Sequence, residues 1–285
     1  MALWHSLLAC PNCGGVLSER SGAIACDNGH AFDIARQGYV NLLSGGAHTG
    51  TADTPAMVAA RAAFLARGHL SAIDQAVGDL VSESIAGVAG CILDVGAGTG
   101  EHLAAVLDHM PDRIGLALDL SKHAAQRAAR AHERISAVVC DAWGRLPVRD
   151  GAAAAVMSVF APRNAAEFAR VLAPGGMLVV VAPTVVHLAE LVAALGMVSV
   201  DPQKEERLEA ALGSRFRRVG STLVEHELSL SHDDALAAAM MGPSAHHLSA
   251  PEAEQRVSRL GEPFATVLSV TVSTWEPLGG MTDDR

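Results

Sequence analysis

Aromatic residues are scarce, making up 4% of the 285 residues with a single Tyr. A core must therefore be assembled from Ala, Val and Leu, and at 50% hydrophobic content the chain has ample material for one. Positive charge is also short: 21 Lys and Arg face 31 Asp and Glu, a net charge of −10. That balance argues against an indiscriminate polyanion binder, which would carry a broadly basic surface. It leaves room for a protein that reads one RNA through a local patch. Charged residues reach only 18%, which with the apolar content excludes a largely disordered chain. Cysteines number five, an odd count in which only Cys10, Cys13 and Cys26 cluster, so a secreted disulfide framework is not expected. Leu7-Leu8-Ala9-Cys10 has no basic segment ahead of it and too short an apolar run for a lipoprotein leader. The longest apolar stretch, 177–200, carries Pro183, His187 and Glu190 near its middle. It reads as a buried strand followed by a helix rather than a membrane span. A cytoplasmic protein with no membrane partner is expected.

Three regions separate by pattern. Residues 1–40 are rich in Cys and Gly with short polar turns, and 41–54 have linker composition. A helical pattern begins at Pro55, and from Cys91 strands alternate with helices. Strands are predicted at 91–95, within 113–120, at 135–140, 153–160 and 177–182. Helices are predicted after Gly100, from Ser121 to about Arg134, and over 165–172, with a turn at Pro174-Gly175-Gly176. This alternation predicts an α/β fold with a parallel sheet covered on both faces. Beyond it, 218–230 and 264–275 read as strands separated by helices starting at Ser231 and near Ala250. The predicted domains are a zinc module over 1–40, a linker over 41–54, and a catalytic domain over 55–285 with substrate or lid elements from about 200.

Cys10-x2-Cys13 followed by Cys26-x3-His30 has the spacing of a four-ligand zinc site. Gly14 and Gly15 permit the tight knuckle that lets Cys10 and Cys13 span one edge of a tetrahedron. Four protein ligands leave no open position, so the metal is expected to be structural and to supply folding free energy to a segment too short to bury a core.

Asp94-Val-Gly96-Ala-Gly98-Thr99-Gly100 closes the first strand of the alternating region and opens a helix. A dinucleotide fingerprint would need a third glycine at 101, which is Glu101. Alternating glycines after an Asp are instead the pattern of S-adenosylmethionine (SAM) methyltransferases. Asp119 ends the second strand, where a carboxylate can accept from both ribose hydroxyls, and Asp141 ends the third, placed to accept from an adenine amino group. The Pro-Gly-Gly turn fits the same class, as do terminal strands separated by helices, which match its antiparallel last strand. The expectation is a class I SAM-methyltransferase fold, Rossmann-like and seven-stranded, preceded by a small zinc ribbon.

A zinc knuckle ahead of such a domain resembles the RlmA-type family of large-subunit (23S) rRNA guanine-N1 methyltransferases. The resemblance covers most of the chain. It is sharpest at the Cys10/Cys13/Cys26/His30 set, at Phe32-Asp33 with Gly38-Tyr39-Val40-Asn41-Leu42-Leu43, at Arg61-x2-Phe64-Leu65-x2-Gly68-His69, and at Pro183-x3-His187-Leu188-x-Glu190-Leu191. It implies methylation of N1 of a guanine in a hairpin loop of 23S rRNA near the macrolide tunnel. Members in antibiotic producers confer resistance to macrolides such as tylosin. The resemblance also implies cofactor contacts from Gly98, Thr99, Leu70 and His187, where Leu70 replaces a Tyr found in some members.

Guanine N1 carries a proton that must leave for nitrogen to attack, but the sequence singles out no catalytic base. Phe160 and Asn164, after the fourth strand, are candidates to stack on and read the guanine. Met240 to His247 could form a lid or merely end a helix. Arg215, Arg217 and Arg218 are candidates for an RNA-binding edge that forms one cleft with the zinc module. A homodimer is one assembly such a chain can form. Three alternatives stand beside this reading: a SAM methyltransferase of a small natural product, a non-catalytic zinc-ribbon adaptor, and a nucleotide-dependent oxidoreductase.

Overall fold

The structure is a computed structural model that describes residues 4–43, 50 and 52–278. Half of the expected linker, 41–54, falls on positions 44–49 and 51, outside the described residues. After a short 3-10 turn at Trp4–Leu7, the chain forms β1 (Ser18–Arg20), β2 (Ala23–Ala25), β3 (Ala31–Asp33) and β4 (Tyr39–Asn41). Helices α1 (Pro55–Ala66) and α2 (Ser71–Ser84) follow. The alternating region then runs β5 (Cys91–Val95), α3 (Glu101–Asp108), β6 (Gly115–Asp119), α4 (Lys122–Ala131), β7 (Ile135–Val139), β8 (Ala153–Val159), α5 (Ala165–Val171) and β9 (Leu172–Pro183). The last part holds α6 (Ala189–Leu195), α7 (Lys204–Leu212), β10 (Phe216–Leu230), α8 (His232–Met240), a 3-10 turn at Pro243–His246, α9 (Ala250–Val257) and β11 (Phe264–Pro277).

β1 to β3 make a small antiparallel sheet. The large sheet has the order β10-β11-β9-β8-β5-β6-β7-β4. β5 to β9 are parallel, and β11 runs antiparallel between β9 and β10. The sheet therefore has eight strands where seven were expected. The eighth is β4, which pairs in parallel with β7 through Tyr39↔Ala137 and Asn41↔Val139. The end of the cysteine-rich region is thus built into the large sheet. Leu8, Leu17 and Ile24 are buried in the same apolar cluster as Leu116, Val138 and Val148. Such burial ties the ribbon to the sheet rather than leaving it on a tether.

Local signals explain most element ends. Thr54 caps α1 ahead of Pro55, Ser121 caps α4, and Ser231 closes a capping box with Asp234 at the start of α8. α4 stops at Ala131, short of the expected Arg134, whose guanidinium instead donates to the Leu107, Met110 and Arg113 carbonyls. The predicted turn at 174–176 is a bulge inside β9: Leu172 pairs with Ala153 and Met177 with Ala155. Among the described residues, no helix is long and apolar enough to cross a membrane.

Candidate functional site

The ribbon places its four candidate ligands together. Their donor atoms all lie within 4.8 Å of one another. The Cys10 backbone N–H donates to Gly15 O, and Gly14 takes φ +72°, which closes the knuckle. Cys13 Sγ lies 3.7 Å from Cys26 Sγ, and His30 Nδ1 lies 3.6 and 3.4 Å from the sulfurs of Cys10 and Cys26. A tetrahedral zinc with ordinary bond lengths would require about 3.8 Å between sulfurs and about 3.6 Å from sulfur to nitrogen. The set fits a closed zinc site with His30 ligating through Nδ1.

The second site lies at the carboxyl ends of β5 to β9, where open α/β sheets hold their ligands. Gly96, Gly98 and Gly100 have φ of +79°, +56° and +88°, which favour glycine. A Cβ on Gly96 would lie 2.5 Å from the Ala161 Cβ, so the loop could not pass β8 with any side chain there. Gly100 plays a different part from the one expected. Its Cβ position faces Ala128 at 2.8 Å, so it lets α3 start against α4 and lines none of the cavities described below.

A cavity of about 180 Å³ runs past Gly96, Gly98, Asp119, Asp141, Trp143 and Phe160. Asp119 accepts the Gly98 N–H at 2.8 Å and the Ser121 N–H at 2.7 Å. Burial pushes its pKa up to about 6 against the pull of those two bonds. Asp141 accepts the Trp143 N–H at 2.9 Å, which holds the 68% exposed indole at the rim. Under the glycine loop, a smaller cavity is lined by Arg61, Asp94, Thr99, Glu101 and His102. Arg61 Nε, Asp94 Oδ1, Thr99 Oγ1 and Glu101 Oε2 are all buried there without a hydrogen-bond partner. Unpaired buried polar atoms are costly, so two donor-capable and two carboxylate groups around one cavity suit a ligand with both a carboxylate and an ammonium. The methionine end of SAM is such a ligand. Burial raises the Asp94 pKa to about 7, and an ammonium beside it would favour the carboxylate.

A third cavity of about 410 Å³ continues outward between Phe160, His187, Lys204 and the segment Met241 to Ser244. The expected lid segment thus forms one of its walls. Leu70 is a buried part of its lining. The rings of Phe160 and His187 lie 5.7 Å apart, and Phe160 is held at φ +53°. Burial lowers the His187 pKa to about 4, and the positive charge of Lys204 acts in the same direction.

Two sets of candidates are placed away from these cavities. Asn164 caps α5 with its oxygen and donates to the carbonyls of Ala142, Trp143 and Gly144 with its amide. With both ends used in the backbone turn, it lines none of these cavities. The arginine edge is the second. Arg218 is bound by Glu205 and Glu209 and stacks 5.0 Å over Trp275, while Arg217 pairs with Glu276 at 2.9 Å. Arg218 sits opposite Trp275, and Trp275 opposite Leu178, midway along β9 and five residues short of its carboxyl end. Arg215 borders a separate depression with Pro174, Gly175 and Glu276. All three arginines thus lie away from the carboxyl ends of the strands, and none lines the cofactor or outer cavity. β10 and β4, the strand that closes the ribbon region, are moreover opposite edges of the sheet.

Cations that sequence reasoning missed stand at the correct end. Arg61 donates to Asp53 at 2.6 Å and to the Met241 carbonyl at 2.8 Å, tying α1 to the lid segment over the cofactor cavity. Lys204 lines the outer cavity, and Arg163 is close enough to depress its pKa further after burial has lowered it. Asp53 and Ala52, at the end of the expected linker, line the cofactor cavity. Arg61 stood in a motif of the chain, but only the fold brings its helix over the glycine loop.

Residues 8–45 match the family model described as RlmA, N-terminal, and 92–176 match a methyltransferase domain. The chain is 46% identical to a 23S rRNA (guanine(748)-N(1))-methyltransferase of Streptomyces fradiae, covering 95% of this chain and 97% of that one. A protein of Micromonospora griseorubida with a 23S rRNA (guanine-N(1)-)-methyltransferase name is also 46% identical, with the same coverage of both chains. A Bacillus subtilis protein with that type of name is 35% identical over 65% of this chain. The fold is accordingly that of a class I SAM-dependent methyltransferase preceded by a zinc ribbon.

Proposed function

Since this chain belongs to the family of 23S rRNA guanine-N1 methyltransferases, we propose that it methylates the guanine equivalent to position 748, the one in its Streptomyces relative's name. The observation that carries the reading is the pair of abutting cavities at the strand ends, one suited to SAM and one wide enough for an extruded base. When bound, SAM supplies an electrophilic methyl group. Asp119 holds the ribose hydroxyls, Asp141 and Trp143 bracket the adenine, and Arg61, Thr99, Asp94 and Glu101 hold the amino-acid end. The expected contacts of Gly96, Gly98 and Leu70 with the cofactor remain part of this reading, whereas His187, also expected beside the cofactor, borders the outer cavity and faces the acceptor.

Phe160 offers a stacking face to the guanine. Residues from about 200 onward, chiefly Lys204 and the wall at Met241–Ser244, close over it and exclude water. Lys204 and Arg163 supply local positive charge for RNA backbone on an otherwise acidic protein. This arrangement fits a 23S hairpin read by shape in the cytoplasm. A methyl on N1 removes the donor on the guanine's Watson–Crick edge, and resistance to macrolides is the proposed outcome in the cell. The homodimer is tested by sedimentation equilibrium. The activity is tested with labelled SAM and purified 23S, 16S and 5S rRNA: the label should enter 23S rRNA alone and be recovered as N1-methylguanosine. Label recovered in another rRNA, or in none, contradicts the proposal.

A further inference from the structure

Two histidines border the outer cavity, each fixed in one tautomer and of opposite sense. His187 Nδ1 lies 3.3 Å from the Ser269 backbone N–H. An amide N–H only donates, so Nδ1 accepts and the ring proton sits on Nε2. His102 Nδ1 lies 2.5 Å from Asp74 Oδ1. A carboxylate only accepts, so Nδ1 carries a proton, and in the neutral ring Nε2 keeps its lone pair. Among the described residues that Nε2 makes no hydrogen bond.

Four residues line both the outer cavity and the small cavity under the glycine loop: Arg61, Leu65, His102 and Phe160. They stand where methyl donor and acceptor must meet. Arg61 is a permanent cation, and Leu65 and Phe160 are apolar. His102 alone of the four can take a proton.

Resting on the function proposed above, we propose that His102 is the catalytic base that removes the N1 proton of the acceptor guanine. Asp74 is its positioning residue, and His187 donates to O6 of the same base. As the carbon–nitrogen bond to N1 forms, the carbon–sulfur bond of the sulfonium breaks and leaves a neutral thioether. The N1 proton passes to His102 Nε2, giving an imidazolium held by Asp74. The pattern also selects the base. Guanine presents an acceptor at O6 beside a donor at N1, complementary to the two histidines, whereas adenine presents a donor at N6 beside an acceptor at N1 and meets like with like.

The charged groups around His102 are Asp74 from α2, Asp94 from β5, Glu101 from its own helix and Arg61 from α1, with His187 and Lys204 across the outer cavity. Burial opposes the imidazolium, but the hydrogen bond and charge of Asp74, with Asp94 and Glu101, outweigh it and raise the pKa. A base must be unprotonated to act, so methylation should rise with pH through a midpoint above the ordinary histidine value.

The test is single-turnover methylation of 23S rRNA at saturating SAM across pH, joined to ¹⁵N-histidine NMR of the full chain. His102→Asn and His102→Gln should each lose about 100-fold or more in rate and lose the ionisation. Asp74→Asn should move the midpoint to lower pH. The spectra should place the neutral His102 proton on Nδ1 and that of His187 on Nε2. Melting and SAM calorimetry identify any variant that fails to fold. Folded variants that keep the wild-type rate and pH limb, or a His102 proton found on Nε2, overturn the proposal. If the wild type modifies no guanine the function itself fails, while the spectra still decide the tautomers.

Discussion

Asp119 reaches across from the end of β6 to accept the Gly98 N–H at 2.8 Å, so the carboxylate proposed for the ribose also fastens the glycine loop. Its other oxygen accepts from Ser121 at 2.7 Å. Burial raises its pKa to about 6, which fixes a sign: below that value it is protonated and accepts less well. SAM affinity measured by calorimetry should therefore tighten as pH rises through about 6, and Asp119→Asn should bind at least about tenfold more weakly and flatten that dependence. A raised carboxyl pKa has the opposite effect on folding. The native state binds the extra proton, so this group's contribution to stability falls as pH rises from its ordinary value of 3.8 to about 6.

The glycine loop gives a steric prediction. Gly96→Ala would place a methyl 2.5 Å from the Ala161 Cβ at φ +79°. The clash and the left-handed backbone together should cost about 2 kcal/mol or more, read as a drop of roughly 5 °C in Tm.

The ribbon should bind one zinc per chain by metal analysis. Cys26→Ser or a strong chelator should remove it and expose 8–43 to protease, because metal binding supplies the folding free energy of so small a unit. Leu8, Leu17 and Ile24 share a cluster with the sheet, so melting should also shift downward for the whole chain.

Charge reversal separates the two ends of the sheet. Arg217→Glu disturbs only an exposed pair and should leave RNA methylation within about twofold of wild type. Lys204→Glu, at the outer cavity, should reduce it by about tenfold or more and reduce its salt dependence.

What was legible in the sequence was whatever depends on spacing within one segment. The four zinc ligands, the glycine loop and the strand-end carboxylates Asp94, Asp119 and Asp141 all follow from local pattern, and the structure brings each set together. The unread part depends on pairing between distant segments. Tyr39–Asn41 adds to the sheet only because β7 is an open edge. Arg215, Arg217 and Arg218 look like a basic patch until Glu205, Glu209 and Glu276 fold against two of them. Asn164 resembles a base reader by position, but three backbone carbonyls claim its amide. The His102–Asp74 pair spans 28 residues and two helices, with no motif to announce it.

The most direct test of the account is primer extension on 23S rRNA after incubation with the protein and SAM. An N1-methylated guanine cannot pair, so a single new stop should appear one nucleotide before the hairpin-loop guanine equivalent to 748. It should be absent when SAM is omitted. No new stop on either naked 23S rRNA or assembled large subunits would contradict the account.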